Sequence, residues 1–142
     1  MKKLSLSQLA TLLTQKGFRL TKSRSRVYEI LLKHEEALSM IDIELLLDDV
    51  DKSTVFRSLQ LFVEVGALHR IDDGTGIYKF ALSSADERPI NAGHAHFFCL
   101  KCERTYCIEG ISSPLSLSLP EGFTTETINL VIRGICANCK KK

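Results

Sequence analysis

A chain of 142 residues, 44% hydrophobic and 25% charged, reads as a soluble globular protein of one domain or two small ones. No apolar run approaches the roughly 18 residues of a membrane span. The basic start Met1-Lys2-Lys3 runs into Ser7, Gln8, Thr11 and Thr14 without a small-residue cleavage site, so a cytoplasmic protein with no membrane partner is expected. A formal net charge of +2 is too small to announce nucleic-acid binding, which has to come from local clusters such as Lys16, Arg19, Lys22, Arg24 and Arg26. A solvated basic face accounts for that cluster equally well.

Leu6, Leu9, Leu12 and Leu13 recur at helical spacing, with a serine as N-cap and Gly17 at the far end, and predict a first helix over residues 5–16. Thr21 or Ser23 caps a second, striped by Val27, Ile30 and Leu31 as far as His34. Ser39 followed by Asp42 resembles a capping box ahead of a short third helix carrying Ile43, Leu46 and Leu47. Asp51 or Ser53 then caps a fourth, with Val55, Leu59, Phe62 and Val63 as its buried stripe and Gly66 as its stop. Residues 67–72 and 77–82 read as short strands around the turn Asp73-Gly74-Thr75-Gly76.

Helices followed by such a hairpin describe a winged helix-turn-helix over residues 1–82, in which the fourth helix enters the major groove of double-stranded DNA. On its outer side Ser53, Thr54 and Arg57 offer groups that bond phosphates or base edges, and the Phe56 ring can meet a thymine methyl. Taken alone, this half is also compatible with a plain helical core whose polar residues face water.

Residues 83–93 are polar, carry Pro89, lack periodicity and read as a linker. Beyond them, residues 94–142 form a small second unit. His94 to Leu100 and Arg104 to Ile108 are expected as strands, and Phe123 to Arg133 as a longer one with Ile128, Leu130 and Ile132 on one face. Residues 113–119 stay undecided between helix and strand. A unit of about 50 residues with few large apolar side chains needs a staple or a partner. Cys99-Leu100-Lys101-Cys102 and Cys136-Ala137-Asn138-Cys139 supply the staple. Each two-residue spacer aims a pair of sulfurs at one point, so the four close a tetrahedron on one Zn2+, structural because no position is left for water. Buried thiols or two redox pairs are the other accounts of these cysteines. An exposed apolar strand face would supply the partner, a second copy of the chain.

His94 and His96, two apart on a strand, present both imidazoles to one side within reach of one ion. Cys107 follows the first knuckle closely, as a small buried hydrophobe or a further ligand. His69 and His34, taken singly, are surface histidines. No nucleophile-plus-base arrangement and no phosphate-binding glycine loop is present, so an enzyme is not expected.

The chain resembles the ferric uptake regulator family of bacterial metal-dependent repressors, through Gly17-Phe18-Arg19-Leu20-Thr21 with Arg24, Ser53-Thr54-Val55-Phe56-Arg57-Ser58-Leu59, His94-Ala95-His96-Phe97-Phe98-Cys99-Leu100-Lys101-Cys102 and Gly134-Ile135-Cys136-Ala137-Asn138-Cys139. The resemblance implies an α+β protein: an N-terminal winged helix, a small C-terminal dimerisation domain with a four-cysteine zinc site, a homodimer, and a regulatory metal at the interdomain hinge. It implies DNA contacts at Lys16, Arg19, Thr21, Arg24, Ser53, Thr54, Phe56 and Arg57.

This chain also departs from the family pattern. Phe56 stands where members usually carry tyrosine, Ala37 where they carry a histidine, and Lys79 where a carboxylate or cysteine is common on the second wing strand. Glu87 or Asp86 can take over that last role. Cys107 replaces a usual carboxylate, His69 falls where zinc-sensing relatives place an aspartate, and Ile128 replaces a histidine of a third site. The regulatory ligand set this implies is His69, His94, His96 and Cys107, with Glu87. Imidazoles plus a thiolate suit Zn2+ better than Fe2+ or Mn2+.

The expected function is therefore a metal-responsive repressor of metal homeostasis. A peroxide or redox sensor of the same fold switched at Cys107, His94 or His96, a thiol-disulfide oxidoreductase, and a zinc scaffold that binds no DNA are the alternatives.

Overall fold

A computed structural model of the chain describes residues 3–83, 95–108, 118–126 and 128–141. The expected ligands His94 and Glu87, the alternative Asp86, the linker beyond Ser83 and most of the undecided segment 113–119 lie outside the described residues.

Four helices lead the chain, and a polar side chain caps the first amides of three of them; the cap expected from Asp51 or Ser53 on the fourth is not made, Asp51 standing at its N-cap without a side-chain bond to its amides. Ser5 opens α1 (Leu6–Gln15) with a reciprocal cap, its hydroxyl accepting from the Gln8 N–H while the Gln8 side chain accepts from the Ser5 N–H. Thr21 caps α2 (Lys22–Leu32) through the Arg24 N–H, and Ser39 with Asp42 forms the capping box of α3 (Met40–Leu46). Asp51 precedes α4 (Lys52–Glu64), which ends where Gly66 takes φ +83°, a left-handed turn that a Cβ would strain.

The hairpin forms as the turn residues predict, with β2 (Leu68–Ile71) antiparallel to β3 (Lys79–Leu82). A third strand, β1 (Leu38–Ser39), pairs with the outer edge of β3 to give the order β1-β3-β2. Two residues carry no readable period, which is why β1 was not expected.

Leu9, Leu13, Val27, Tyr28, Ile43, Val55, Leu59, Phe62 and Leu68 make the core of this half. Burying each of the larger ones contributes roughly 1.5–3 kcal/mol. Tyr28 stands edge-on to Phe62 at 5.6 Å and donates its hydroxyl to the Leu4 carbonyl at 2.8 Å; burial pushes its pKa up to about 12. Of the expected α3 stripe, Ile43 and Leu47 are buried as read, whereas Leu46 is 46% exposed. Leu47, four residues on from Ile43, carries the stripe into its second turn and leaves Leu46 beside it at the edge.

The second sheet has the order β5-β4-β6. Its central strand β4 (Ala95–Cys99) runs antiparallel to β5 (Thr105–Ile108) and parallel to β6 (Val131–Gly134), and α5 (Ala137–Lys140) closes the chain. Of the long strand expected over 123–133, only residues 131–133 are strand among the described residues, and β6 runs on to Gly134. Its partner β4 has only five residues, and Phe123 is 67% exposed. The two sheets meet where the Ala37 N–H donates to the Thr105 carbonyl at 2.8 Å.

Candidate metal centres and nucleic-acid face

Parallel pairing sets Cys99 opposite Gly134, and so carries the knuckle after β4 to the knuckle after β6. Cys99, Cys102, Cys136 and Cys139 come together with all four sulfurs within 4.8 Å of one another, and all four thiols are free of disulfides. The Cys102 and Cys136 sulfurs stand 3.8 Å apart. A tetrahedron with Zn–S bonds of about 2.3 Å has edges of about 3.8 Å, so this donor set fits zinc with little adjustment.

Backbone geometry prepares the sulfurs for charge. The Cys99 sulfur accepts from the Cys102 and Cys136 N–H groups at 3.5 and 3.3 Å, which pull its pKa down to about 6. Cys136 is lowered too, chiefly by the Cys139 N–H, whereas burial pushes Cys139 up to about 12. Deprotonating all four without a counter-ion is therefore unfavourable, and a divalent cation removes that conflict.

A second cluster gathers donors from both sheets. His69 on β2 meets His96 on β4 and Cys107 on β5: the two Nε2 atoms are 3.2 Å apart and the Cys107 sulfur lies 3.4 Å from His69 Nε2. Tetrahedral zinc with N donors at about 2.05 Å and S at about 2.3 Å has corresponding edges of about 3.3 and 3.5 Å. These three donors therefore fit zinc as well.

Antiparallel register explains the convergence on one side, since His96 and Cys107 are direct cross-strand partners. His69 Nδ1 lies 3.4 Å from the buried Ser83 hydroxyl, which fixes the ring so that Nε2 points into the cluster. His69 is thus no surface histidine. His34 is in neither cluster; its Nδ1 sits 2.7 Å from the Ile30 carbonyl at the end of α2.

Lys79 stands on β3 as an ion-pair partner rather than a ligand. Its ammonium donates to Asp73 Oδ2 at 2.6 Å. Asp73 read in sequence only as a turn residue. Its sequence signal was the local Asp-x-Thr turn, but its other partner, Thr105, lies 32 residues away along the chain and no local pattern reports it.

In the N-terminal half, α4 shows Ser53, Phe56 and Arg57 to solvent with Thr54 half-buried, the Phe56 ring being 48% exposed. The Thr54 hydroxyl donates to the Asp51 carboxylate, which lowers the Asp51 pKa. Lys16, Arg19 and Thr21 are exposed between α1 and α2; Arg24, half-buried, holds the Arg19 carbonyl, and Thr21 is engaged as the α2 cap.

Helix-turn-helix, wing and a small sheet carrying a four-cysteine cluster define a winged-helix protein of the metal-regulator type. The sequence model of the ferric uptake regulator family matches residues 15–132, and the chain belongs to that family, whose members are metal-responsive transcriptional regulators and not enzymes. It is 29% identical over 136 residues to the ferric uptake regulation protein of Bordetella parapertussis, covering 88% of this chain and 91% of the relative. It is 26% identical over 137 residues to that of Bacillus subtilis, covering 89% and 88%.

Among solved structures it is similar in fold to a zinc uptake regulator complexed with zinc and DNA, with TM-score 0.67 and 22% identity over 96% of this chain and 93% of that one. It is also similar to the Helicobacter pylori ferric uptake regulator, with TM-score 0.62 and 17% identity over 100% and 99%. Among the described residues, no helix is long and apolar enough to cross a membrane.

Proposed function

We propose that this chain is a zinc-responsive repressor that binds operator DNA as a homodimer in the cytoplasm. In this reading residues 1–82 bind DNA, 83–93 link, and 94–142 dimerise around a structural zinc held by Cys99, Cys102, Cys136 and Cys139. Its sensor is the cluster of His69, His96 and Cys107, completed by His94, with Glu87 as the remaining candidate. The single observation that carries the proposal is that His69 belongs to the wing sheet whereas His96 and Cys107 belong to the other sheet.

Bound there, zinc would supply a charge that attracts imidazole and thiolate at once. The protein's part is to present those donors together only when the two sheets hold this placement. Metal binding then favours the placement by its differential affinity, and the same placement sets the spacing of paired α4 helices on a duplex. A thiolate donor weighs toward zinc over iron or manganese, which prefer more oxygen. Exposed Ile132 on the edge strand β6 and Ile135 beyond it offer an apolar surface to a second copy.

Titrating zinc into an operator-binding assay tests the reading. Native protein should gain DNA affinity with zinc, and His96→Ala should need far more zinc for the same gain. DNA affinity of the native chain that does not respond to zinc defeats the sensing role.

A further inference from the structure

A polar junction, made of residues that belong to neither candidate metal centre, joins the wing turn to the second sheet. Asp73, in the turn between β2 and β3, is fully buried, and its carboxylate is saturated by four donors. Lys79 Nζ and the Thr105 hydroxyl reach Oδ2 at 2.6 Å each, while the Thr75 N–H and hydroxyl reach Oδ1 at 3.1 and 2.6 Å. The Lys79 side chain is only 12% exposed. Besides Asp73, its ammonium donates to the Thr105 hydroxyl at 3.0 Å and to the Glu103 carbonyl at 3.2 Å, so three oxygens surround it, two of them from the second sheet and its preceding turn.

The rest of the wing turn is seated on the same surface. Asn129 donates its amide to the Asp72 carbonyl at 2.8 Å, and a Cβ at Gly74 would meet the Arg133 guanidinium at 2.9 Å. The buried Phe98 ring has the Lys79 ammonium and the Arg133 guanidinium each 5.0 Å from its centroid, adding cation–π attraction from both.

We propose that the Lys79 ammonium is a built-in cation that clamps the wing turn to the second sheet. The wing turn then stays joined to the second sheet whether or not an ion occupies the His69, His96 and Cys107 cluster, and the ion's part is to select the orientation of the two sheets about that joint. The oxygen cage around Nζ does for this junction what a bound divalent ion does elsewhere, but with a charge that cannot be chelated away. Burial pushes the Asp73 carboxyl up, yet the bonds from Lys79, Thr105 and Thr75 outweigh it and hold the group well below the usual carboxylate range, so the carboxylate stays charged. Removing the sensor ion then frees the orientation of the two sheets about a joint that itself stays closed.

The Ala37 amide reports the clamp directly, because its acceptor is the Thr105 carbonyl across the junction. Hydrogen exchange of this amide is measured by NMR in the full-length chain after dialysis against a mild chelator, without DNA or added zinc. The wild type is compared with Asp73→Asn/Lys79→Met, in which both charges leave together so that neither is stranded. The clamp predicts a protected Ala37 amide in the wild type and exchange about tenfold faster in the double variant, with the α4 amides unchanged. Wild-type exchange as fast as the variant's, or protection indifferent to the substitutions, overturns the proposal. Should the α4 amides show that the double variant fails to fold, Thr105→Val serves instead. It removes only the shared hydroxyl and is expected to speed Ala37 exchange about threefold, with no change overturning the clamp. Neither zinc sensing nor DNA binding enters the readout, so failure of the proposed function leaves this result standing.

Discussion

His69→Ala separates metal binding from metal response. Among the described residues, His69 is the one donor of the proposed sensor cluster that belongs to the wing sheet; His96 and Cys107 both sit on the second sheet as cross-strand partners. An ion held only by the latter pair touches one body and cannot favour either placement of the other. In wild type the coupling between zinc and DNA is expected in the usual range of about 1–3 kcal/mol, or a 5–150-fold gain in DNA affinity. In His69→Ala that gain should fall to about onefold even at saturating zinc, whereas His96→Ala should keep part of it, displaced to higher zinc. The assay is fluorescence anisotropy of labelled operator DNA across a zinc titration. Its reciprocal is zinc affinity by chelator competition with and without DNA, where linkage demands the same factor. A His69→Ala protein whose DNA affinity rises with zinc as much as wild type would refute the two-body reasoning.

Three further outcomes follow from the same geometry. Lys79→Met strands the fully buried Asp73 carboxylate and should cost about 3–5 kcal/mol, seen as a fall in Tm of roughly 10–20 °C. Because the folded-state pKa of Asp73 is depressed, its stabilisation is complete above the unfolded value of about 3.9 and fades as pH falls below that. Wild type should therefore lose more stability under acid, below about pH 4, than Asp73→Asn/Lys79→Met does in chemical denaturation at stepped pH. Cys136→Ser opens the four-cysteine cage, so mild chelation should strip the zinc that wild type retains; equal retention by elemental analysis would count against a shared ion. Phe56→Ala, at a half-exposed ring, should change stability by no more than about 0.5 kcal/mol yet weaken operator binding about tenfold, and unchanged binding would remove the ring from the interface.

Helix positions were legible because they rest on local chemistry. Ser5, Thr21 and Ser39 cap the helices they precede, and Gly66 ends α4, since a cap and a left-handed turn involve residues within one turn of each other. The hairpin around residues 73–76 was legible for the same reason. The overlong strand over 123–133 failed because alternation describes a face without saying whether a partner strand is long enough to cover it. Leu46 failed because helical spacing admits both the third and the fourth residue after Ile43, and only packing chose Leu47.

By itself, then, the chain determined its helices, its winged-helix class, its two cysteine knuckles and the residue types open to metal, all of them patterns written within a few residues. Tertiary structure alone decided which of those types meet. It carried His69 across 27 residues to His96, set Cys107 opposite His96, and made Lys79 the partner of a buried aspartate. The reason is physical: contact between distant side chains depends on strand register and on how two sheets pack, and burial of apolar surface fixes both only once the whole chain has closed.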